Sequence, residues 1–328
     1  MRVAVLGAGS WGTTFAALTA ARATTSLWAR RPELADEIRR TGRNPDYLPH
    51  EALPQDLSCT SVLEEALDGA GVVVMAVPSH GFRAVLAAAA GHIPEGTPVV
   101  SLAKGLEQRS RRRMSEIVAE TAPGRPAGVL TGPNFAGEIL AGHPTASVLA
   151  MADQHLGGEL QRLFSTSTFR VYTNVDVLGC ELAGALKNVI AIASGMADGM
   201  GFGDSTKAAL ITRGLAELTR VGKHLGGQPA TFAGLAGMGD LVATCISRHS
   251  RNRYVGEELG RGRSMDEVLA GMRMVAEGVS SAPAVVELAA AAGVEVPISE
   301  QVVAVLYDGR KPAEALPALM QRGVKPEL

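Results

Sequence analysis

The stretch VAVLGAGSWG, residues 3–12, decides the expected fold of this chain. A short β-prone run leads directly into a G-x-G-x-x-G pattern formed by Gly7, Gly9 and Gly12. In such a loop the first glycine permits a tight turn, and the second lets the backbone approach a pyrophosphate. The third lets the following helix pack closely on the strand. The order of strand, glycine turn and helix therefore predicts a dinucleotide-binding unit.

The residues after this loop complete a β-α-β unit. An Ala-rich helix is expected from about Thr13 to Ala21 and a second strand from Thr25 to Ala29. The first turn of such a helix offers unpaired amides and a positive dipole end to an anion. The uncharged stretch between Arg2 and Arg22 is interrupted by glycine, serine and threonine residues. We therefore expect neither a signal peptide nor a membrane-spanning helix there, and no membrane insertion.

The end of the second predicted strand indicates which nucleotide is bound. NAD-preferring sites usually carry Asp or Glu at this place, which binds the ribose hydroxyls. Here the sequence LWARRPE places Arg30 and Arg31 there instead. Because guanidinium groups match phosphate oxygens in bidentate geometry, we expect NADPH/NADP as cofactor, with NAD as the alternative. A solvated basic pair at a strand end is the other interpretation of these two residues.

Further alternation of strands and helices predicts an α/β fold with a Rossmann-type, doubly wound and mainly parallel sheet. The further expected strands are Gly71–Val77, Pro98–Ala103, Ala127–Thr131, Thr145–Ala150 and, at an edge, Thr168–Thr173. Capping boxes are predicted at Ser61 with Glu64 and at Ser264 with Glu267. Ligands of such sheets lie beyond the carboxyl ends of the strands. Lys104, Gly132 and Asn134 follow strand ends and are therefore expected to face one crevice.

Strand patterns nearly vanish after Asn174, and apolar helical stretches replace them. These stretches are Val177–Met200, Ser205–Leu225, Ala282–Ala292 and Ser299–Tyr307. We therefore predict an NAD(P)-binding Rossmann domain over residues 1–174 and an all-α substrate-binding and catalytic domain over residues 175–328.

Lys187 is the only charged residue in the run LAGALKNVIAIASGMA, residues 182–197. We expect a buried helix here, in which burial disfavours the charged form of lysine and a partner is needed. Asp240 is the obvious candidate, because it stands alone among small apolar residues in GLAGMGDLVATC. A lysine that reaches the surface or forms a structural ion pair, and an aspartate that caps a helix, are the alternatives.

The segment SRHSRNRY places Ser250, Arg251 and Asn252 at the start of a helix that is expected to run to Leu259. A serine cap, an arginine and free backbone amides together favour an anion site suited to a substrate phosphate. A solvated basic turn is the alternative, and it fits Arg248 and Arg253.

Composition excludes several classes of protein. The 328 residues carry a formal net charge of −2, which gives no general attraction for nucleic acid. Three cysteines lie far apart and fit reduced thiols in a cytoplasmic protein. The seven histidines are scattered as well, so we expect no metal site.

Taken together, these motifs resemble the bacterial NAD(P)-dependent glycerol-3-phosphate dehydrogenase family. The matching segments are GAGSWG, LWARRPE, AVPSH, KGLE, TGPNFAGE, LAGALKNVIAIASGMADG, ITRGLAE, AGMGDL, SRNR and VAEG, in that order from Gly7 to Gly278. The resemblance implies reversible reduction of dihydroxyacetone phosphate to sn-glycerol 3-phosphate with NAD(P)H, which feeds glycerophospholipid synthesis. It also implies a Rossmann domain joined to a helical domain, and a homodimer.

The resemblance also implies roles for individual residues, with Lys187 as the proton acceptor. Positions around the cofactor are matched by Ser10, Trp11, Arg30, Arg31, Lys104, Ala136, Arg251, Val275 and Glu277. Positions around glycerol phosphate are matched by Lys104, Gly132, Asn134, Lys187, Asp240, Ser250, Arg251 and Asn252. Asn134 is a departure, because many relatives carry Ser or Thr there, but its amide also donates and accepts hydrogen bonds.

Two other functions remain open at the level of sequence. One is a related two-domain dehydrogenase that acts on a hydroxy acid, ketopantoate or a hydroxyacyl thioester. The SRN phosphate site argues against that function. The other is a non-catalytic NADP-sensing protein, which leaves a buried Lys187 near Asp240 without a reason.

Overall fold

The computed structural model describes residues 1–272 and 276–321. Its contacts divide the chain into two compact units, Met1–Glu181 and a second unit that begins at Leu182. The first unit contains all eight strands of the described residues in one sheet. They are β1 (Arg2–Leu6), β2 (Thr25–Trp28), β3 (Ser58–Thr60), β4 (Ala70–Met75), β5 (Val99–Ser101), β6 (Ala127–Thr131), β7 (Thr145–Met151) and β8 (Phe169–Asn174).

The sheet has the strand order β3-β2-β1-β4-β5-β6-β7-β8. Its first six positions reproduce the 3-2-1-4-5-6 order of dinucleotide-binding sheets. Every neighbouring pair is parallel except β6 and β7. The predicted mainly parallel sheet and the edge position of its last strand are therefore confirmed. The order reverses between β1 and β4, so the loop after β1 lies where such sheets bind ligands.

Side chains of β1 alternate between two apolar layers. Val3 and Val5 belong to one buried cluster, and Ala4 and Leu6 belong to the other. This is the period of two expected for a strand that is covered on both faces. The helices of this region are α1 (Ser10–Ala20), α2 (Pro32–Thr41), α3 (Leu63–Leu67), α4 (Ser79–Ala89), α5 (Met114–Thr121), α6 (Ala136–Leu140) and α7 (Gln154–Phe164). Helices α1, α2 and α7 cover the first layer, and α3, α4 and α5 cover the second.

The predicted capping box at Ser61 and Glu64 is wrong. Helix α3 has Val62 as its N-cap and no side-chain cap. The Thr60 hydroxyl instead accepts from the Val62 amide at 3.1 Å and donates to the Glu65 carboxylate at 2.5 Å. Thr60, the last residue of β3, thus bonds to the N-cap amide and to Glu65, in place of the predicted bonds between Ser61 and Glu64.

The second predicted capping box is confirmed. The Ser264 amide donates to the Glu267 carboxylate at 2.8 Å, and the Glu267 amide donates to the Ser264 hydroxyl at 3.4 Å. These two bonds close the start of the helix Met265–Ala270 and need no partner from elsewhere in the chain.

The boundary between the two units falls inside helix α8 (Val177–Gly199), whereas the predicted domain border lies just before that helix. Glu181 is the last residue of the first unit. Its buried carboxylate accepts from the Ser115 amide at 2.7 Å and from the Arg113 guanidinium at 2.8 Å. The first turn of α8 is thereby bound to the start of α5.

The second unit is helical throughout its described residues, as predicted. Besides α8 it contains α9 (Asp204–His224), α10 (Pro229–Ala233), α11 (Asp240–Ile246), α12 (Arg251–Gly260), α13 (Met265–Ala270), α14 (Glu277–Ala291), α15 (Pro297–Tyr307) and α16 (Pro312–Met320). Among the described residues, α8 is the one helix that is long and apolar enough to cross a membrane, but 83% of its apolar window is buried in the protein. Such burial is typical of a core helix.

Helices α8 and α12 pack backbone against backbone. A Cβ at Gly195 would lie 2.0 Å from the Arg253 carbonyl oxygen, and one at Gly256 would lie 2.0 Å from the Ile192 carbonyl oxygen. Only glycine permits so close an approach at these positions. The contact fixes the start of α12 relative to the turn of α8 that carries Lys187.

Glu217 connects α9 to the first turn of α15. Its buried carboxylate accepts from the Ile298 amide at 2.7 Å and from the Ser299 hydroxyl at 3.1 Å. Burial raises the pKa of Glu217 to about 7, although these bonds oppose the shift.

Candidate active site

The three glycines of the loop after β1 meet different constraints. Gly7 has φ +120°, and a Cβ there would lie 2.7 Å from the Ala76 carbonyl oxygen. A Cβ at Gly12 would lie 1.9 Å from the Gly7 carbonyl oxygen. A Cβ at Gly9 would meet no atom within 4 Å. The fold itself therefore requires Gly7 and Gly12, whereas Gly9 leaves open space that suits the close approach of a pyrophosphate.

The start of α1 suits the same ligand. The helix begins at Ser10, earlier than predicted, and its N-cap Gly9 contributes no side chain to the first-turn amides. Those amides and the helix dipole favour an anion. The Trp11 indole packs against the rings of Phe15 and Phe169, with centroids 5.8 and 6.2 Å away. Its buried Nε1 has no hydrogen-bond partner among the described residues, so a bound group that accepts this bond would satisfy it.

Asn44 holds this loop in place, and sequence reasoning missed it. The residue is fully buried in the segment between α2 and β3. Its Nδ2 donates to the Ala8 carbonyl oxygen at 2.9 Å and to the Thr13 hydroxyl at 2.8 Å. One amide therefore links the glycine turn to the first turn of α1. No local pattern around Asn44 indicated this role.

Arg30 and Arg31 follow β2, as predicted, and both side chains are exposed. Arg30 forms no ion pair with a described residue. Arg31 pairs with the Asp46 carboxylate, and this contact raises the pKa of the guanidinium. Arg31 also precedes α2 as its N-cap residue. Both cations are thus open to solvent at the carboxyl end of the sheet.

Lys104, Gly132 and Asn134 lie together beyond β5 and β6. The Lys104 Nζ donates to the Gly132 carbonyl oxygen at 2.6 Å. The Asn134 Nδ2 donates to the Ser147 hydroxyl at 3.0 Å, and that hydroxyl donates to the Thr131 carbonyl oxygen at 2.8 Å. The buried Oδ1 of Asn134 has no hydrogen-bond partner among the described residues. It is a buried acceptor that a bound hydrogen-bond donor would satisfy.

The second unit contains the predicted lysine–aspartate pair. Lys187 is 3% exposed and Asp240 is 2% exposed. The Lys187 Nζ donates to the Asp240 Oδ1 at 2.7 Å and to the Thr244 hydroxyl at 2.5 Å. The Thr244 hydroxyl in turn donates to the Asp240 carbonyl oxygen at 2.6 Å. A carboxylate and a hydroxyl therefore hold the amine in one orientation and stabilise its ammonium form.

Asp240 begins α11 directly after a π-helical turn, Leu235–Gly239. Such turns often occur at functional sites. The aspartate does not cap the helix, because its carboxylate faces Lys187. Thr244 was missed by sequence reasoning, although its position four residues after Asp240 on a helix was a usable signal.

Ser250 caps α12 as predicted, with its hydroxyl accepting from the Arg253 amide at 3.2 Å. Arg251 begins this ten-residue helix and is exposed. An arginine at a helix start combines a fixed charge with the positive dipole end, which suits a phosphate.

Both the nitrogen and the oxygen of the Asn252 side-chain amide are hydrogen-bonded to the protein. Its Nδ2 donates to the Asn188 Oδ1 at 2.9 Å, and its Oδ1 accepts from the Gly278 amide at 2.9 Å. Asn188, Asn252 and Gly278 are thus joined to one another. They directly follow Lys187, Arg251 and Glu277 in the chain. Ala136 and Glu277 begin α6 and α14, while Val275 lies outside the described residues.

The described residues also bear on metal binding and on the chemistry of the three cysteine thiols. No group of three or more His, Cys, Asp or Glu side chains is placed to hold a metal there. Burial raises the pKa of Cys59 to about 11 and that of Cys180 and Cys245 to about 12. These thiols are therefore protonated at neutral pH and unsuited to act as nucleophiles.

Comparison with known proteins gives a consistent result over the whole chain. Residues 2–157 match the model of the NAD-dependent glycerol-3-phosphate dehydrogenase N-terminus, and residues 176–317 match that of the C-terminus. Glycerol-3-phosphate dehydrogenase [NAD(P)+] 2 of Sphingopyxis alaskensis is 54% identical over 327 residues, which cover 100% of this chain and 98% of the relative. The enzyme of Mycobacterium avium is 51% identical over 97% of this chain and 94% of its own length.

Two solved structures, one from this family and one ketopantoate reductase, resemble the chain to different degrees. A crystal structure of glycerol-3-phosphate dehydrogenase from Coxiella burnetii has a TM-score of 0.94 and 36% identity, covering 98% of this chain and 99% of the other. A ketopantoate reductase from Ralstonia eutropha JMP134 has a TM-score of 0.61 and 19% identity over 96% of this chain and 100% of its own, which shows a shared fold alone. The family matches span both units that carry the glycine loop and the buried lysine, and the chain therefore belongs to the NAD(P)-dependent glycerol-3-phosphate dehydrogenase family.

Proposed function

We propose that this enzyme reduces dihydroxyacetone phosphate to sn-glycerol 3-phosphate with Lys187 as the proton donor. The observation that carries the proposal is the buried amine of Lys187, bonded at 2.7 Å to Asp240 and at 2.5 Å to Thr244. A charged side chain is rarely buried to this degree without a partner or a task. The same contacts support a reversible reaction, because they hold the amine in place whichever way its proton moves.

Reduction of a ketone requires a hydride at the carbonyl carbon and a proton at its oxygen. The bound nicotinamide cofactor supplies the hydride. Lys187, as ammonium, donates a proton from Nζ to the oxygen, and Asp240 stabilises that ammonium beforehand. In the reverse direction the neutral amine accepts the proton of the alcohol. The Thr244 hydroxyl keeps Nζ directed by accepting one of its hydrogen bonds.

The start of α12 binds the phosphate of the substrate in this proposal. Arg251 contributes charge-assisted hydrogen bonds, and Ser250 orders the first turn by capping it. Asn252 contributes by its bonds to Asn188 and to the Gly278 amide, which hold this turn beside Lys187. Anchoring the phosphate fixes which carbon is presented to the reacting groups.

Three residues of the first unit also serve the substrate in this proposal. Lys104 polarises the carbonyl group, and its bond to Gly132 at 2.6 Å holds its amine in position. The buried Oδ1 of Asn134 accepts a hydrogen bond from a substrate hydroxyl. Asparagine performs this task as well as the Ser or Thr of many relatives, because its amide oxygen is an acceptor.

The cofactor role is proposed for the glycine loop, for residues that follow strand ends and, as the family resemblance implies, for Ala136, Arg251, Val275 and Glu277. The proposed contacts are Gly7, Gly9, Ser10, Trp11, Gly12, Arg30, Arg31, Lys104, Ala136, Arg251, Val275 and Glu277. The open space at Gly9 and the exposed cations at Arg30 and Arg31 support this set. Two guanidinium groups favour a 2′-phosphate, and thus NADP over NAD.

We further propose that the enzyme acts in the cytoplasm as a homodimer and supplies glycerophospholipid synthesis. Family resemblance supports the dimer and the pathway. Three buried cysteines without disulfides fit a reducing compartment. The net charge of −2 supports neither nucleic acid binding nor attraction to anionic lipid. Because α8 is mostly buried within the protein, we propose that this helix is not inserted in a membrane.

Lys187→Ala tests the proposal most directly. Turnover with dihydroxyacetone phosphate should fall by roughly two orders of magnitude or more, because general acid catalysis is lost. The dissociation constant of NADPH, measured by fluorescence titration, should change little. Lys207→Ala is the matched control, since Lys207 also pairs with an aspartate, Asp198, in the same unit. Near-normal turnover of Lys187→Ala, or an equal loss in both variants, would remove Lys187 from the mechanism.

A further inference from the structure

The segment between α2 and β3 reaches the cofactor-binding loop. Asn44 binds the Ala8 carbonyl oxygen and the Thr13 hydroxyl. The Leu48 amide donates to the Asn44 carbonyl oxygen at 2.8 Å, which closes a tight turn. Asp46 lies within this turn and is therefore held near the glycine loop by backbone and side-chain bonds.

Asp46 pairs with Arg31, one of the two cations proposed to bind the 2′-phosphate. The side chains are 53% and 45% exposed for Arg31 and Asp46, so a cofactor can reach both of them. Arg30, by contrast, forms no ion pair with a described residue. One of the two arginines at the end of β2 is thus already paired with a carboxylate of the protein.

This arrangement treats the two cofactors differently. A phosphate monoester carries close to two negative charges near neutral pH, so it is repelled by a carboxylate on the same guanidinium. The neutral ribose hydroxyls of NAD(H) feel no such repulsion, and a carboxylate accepts hydrogen bonds from them. We infer that Asp46 is a specificity-determining residue, whose carboxylate competes with the 2′-phosphate for Arg31 and keeps NAD(H) usable beside NADP(H). The inference rests on the proposed role of Arg31 toward that phosphate.

Asp46→Asn tests the inference, because it removes the charge and keeps the shape. Binding of NADPH, NADH, 2′,5′-ADP and 5′-AMP is measured by fluorescence or calorimetry at low ionic strength. The dissociation constants of NADPH and 2′,5′-ADP should fall by about 3- to 10-fold, as expected for one charge removed near a dianion. Those of NADH and 5′-AMP should stay the same or rise by less than about twofold. The gain should shrink at high salt, since exposed charges are screened.

Asp68→Asn is the matched control. Asp68 is exposed, pairs with Arg2, and lies at the amino end of the sheet, away from the strand ends that bind ligands. The Asp68→Asn substitution removes the same charge and should leave the ratio of NADPH to NADH affinity unchanged. Because exposed ion pairs contribute little to folding stability, neither variant is expected to unfold.

Arg31→Ala separates this inference from the proposed function. If Arg31→Ala weakens NADPH selectively while Asp46→Asn leaves the ratio of NADPH to NADH affinity unchanged, the competition by Asp46 is disproved and the phosphate role of Arg31 stands. If Arg31→Ala has no selective effect, the phosphate assignment fails and the inference fails with it. In the double variant, the gain from Asp46→Asn should disappear.

Discussion

Two residues of the candidate site in the first unit differ from two in the second unit in how their buried polar atoms are bonded. In the first unit, Trp11 Nε1 and Asn134 Oδ1 have no partner among the described residues. In the second unit, Lys187 and Asn252 are bonded to their own neighbours. Removing a polar atom that only a ligand can satisfy should change ligand affinity. A group that is already bonded within the protein is oriented before any ligand binds. Substitutions in the first unit should therefore change affinity, and those in the second should change turnover or stability.

Asp240→Asn should give the largest effect and tests the second half of this comparison. Without the carboxylate at 2.7 Å, the Lys187 ammonium loses its main electrostatic support. We expect kcat to fall on the order of 10²- to 10³-fold, with the NADPH dissociation constant nearly unchanged. Steady-state kinetics and fluorescence titration measure the two quantities. A variant that binds NADPH poorly but turns over normally would reverse the comparison.

Glu217→Gln tests whether internal bonding in the second unit responds to pH. The pKa of Glu217 is about 7 in the folded chain, and its ordinary value is 4.5. The folded state therefore binds this proton more strongly, so the contribution of Glu217 to stability is full below about pH 4.5 and is lost as the pH rises to about 7.

Glutamine has no proton to lose in this range. The free energy of unfolding of Glu217→Gln minus that of the parent should therefore increase by roughly 3 kcal/mol between about pH 4.5 and about pH 8. Urea unfolding at each pH measures the difference. A difference that stays constant with pH would show that Glu217 titrates normally.

Arg251→Ala asks whether the second unit also binds a ligand through an exposed group. Loss of a charge-assisted contact to phosphate should raise the KM for dihydroxyacetone phosphate by roughly 10- to 100-fold, with a smaller change in kcat. Kinetics at saturating NADPH separate the two constants. If only NADPH affinity suffers, Arg251 serves the cofactor and the phosphate site lies elsewhere.

A pair of glycine substitutions sharpens the comparison with the smallest expected effects. Gly256→Ala forces a Cβ to within 2.0 Å of the Ile192 carbonyl oxygen and should lower the free energy of unfolding by about 1–3 kcal/mol. Gly9→Ala adds a Cβ where no protein atom lies within 4 Å. It should leave stability nearly unchanged and weaken NADPH binding by roughly tenfold. Thermal unfolding and fluorescence titration of both variants check this, and equal destabilisation would contradict it.

Much of the fold was predictable because its elements repeat a local pattern. The strand β1, the glycine loop and the long apolar helices were all expected near their observed bounds. The short strand Ser58–Thr60 was not, since its three residues carry too little periodicity to be recognised. The capping box at Ser61 failed because Thr60, held by the neighbouring strand, offered competing hydrogen bonds.

The lysine–aspartate pair of the candidate site was predictable because both residue types are unusual in their surroundings. A single charge in an apolar run identified Lys187, and the same reasoning found Asp240. Asn44 was missed because its partner Ala8 lies 36 residues away and nothing local is unusual about an asparagine in a loop. Asp46 escaped notice for a similar reason, as its pairing with Arg31 depends on a turn that folds back.

The local sequence pattern alone was enough to predict the class of fold and the nucleotide-binding loop. It also predicted that the buried Lys187 needs a carboxylate as its partner. These follow from periodicity, from the dihedral freedom of glycine and from the energetic penalty of burying a charge, all of which act within a short stretch of chain. Which residues meet was settled by folding. Thr244 beside Lys187, Asn252 between Asn188 and Gly278, and Asp46 on Arg31 all come together only when helices and turns pack, because distant backbone contacts bring them within hydrogen-bonding range.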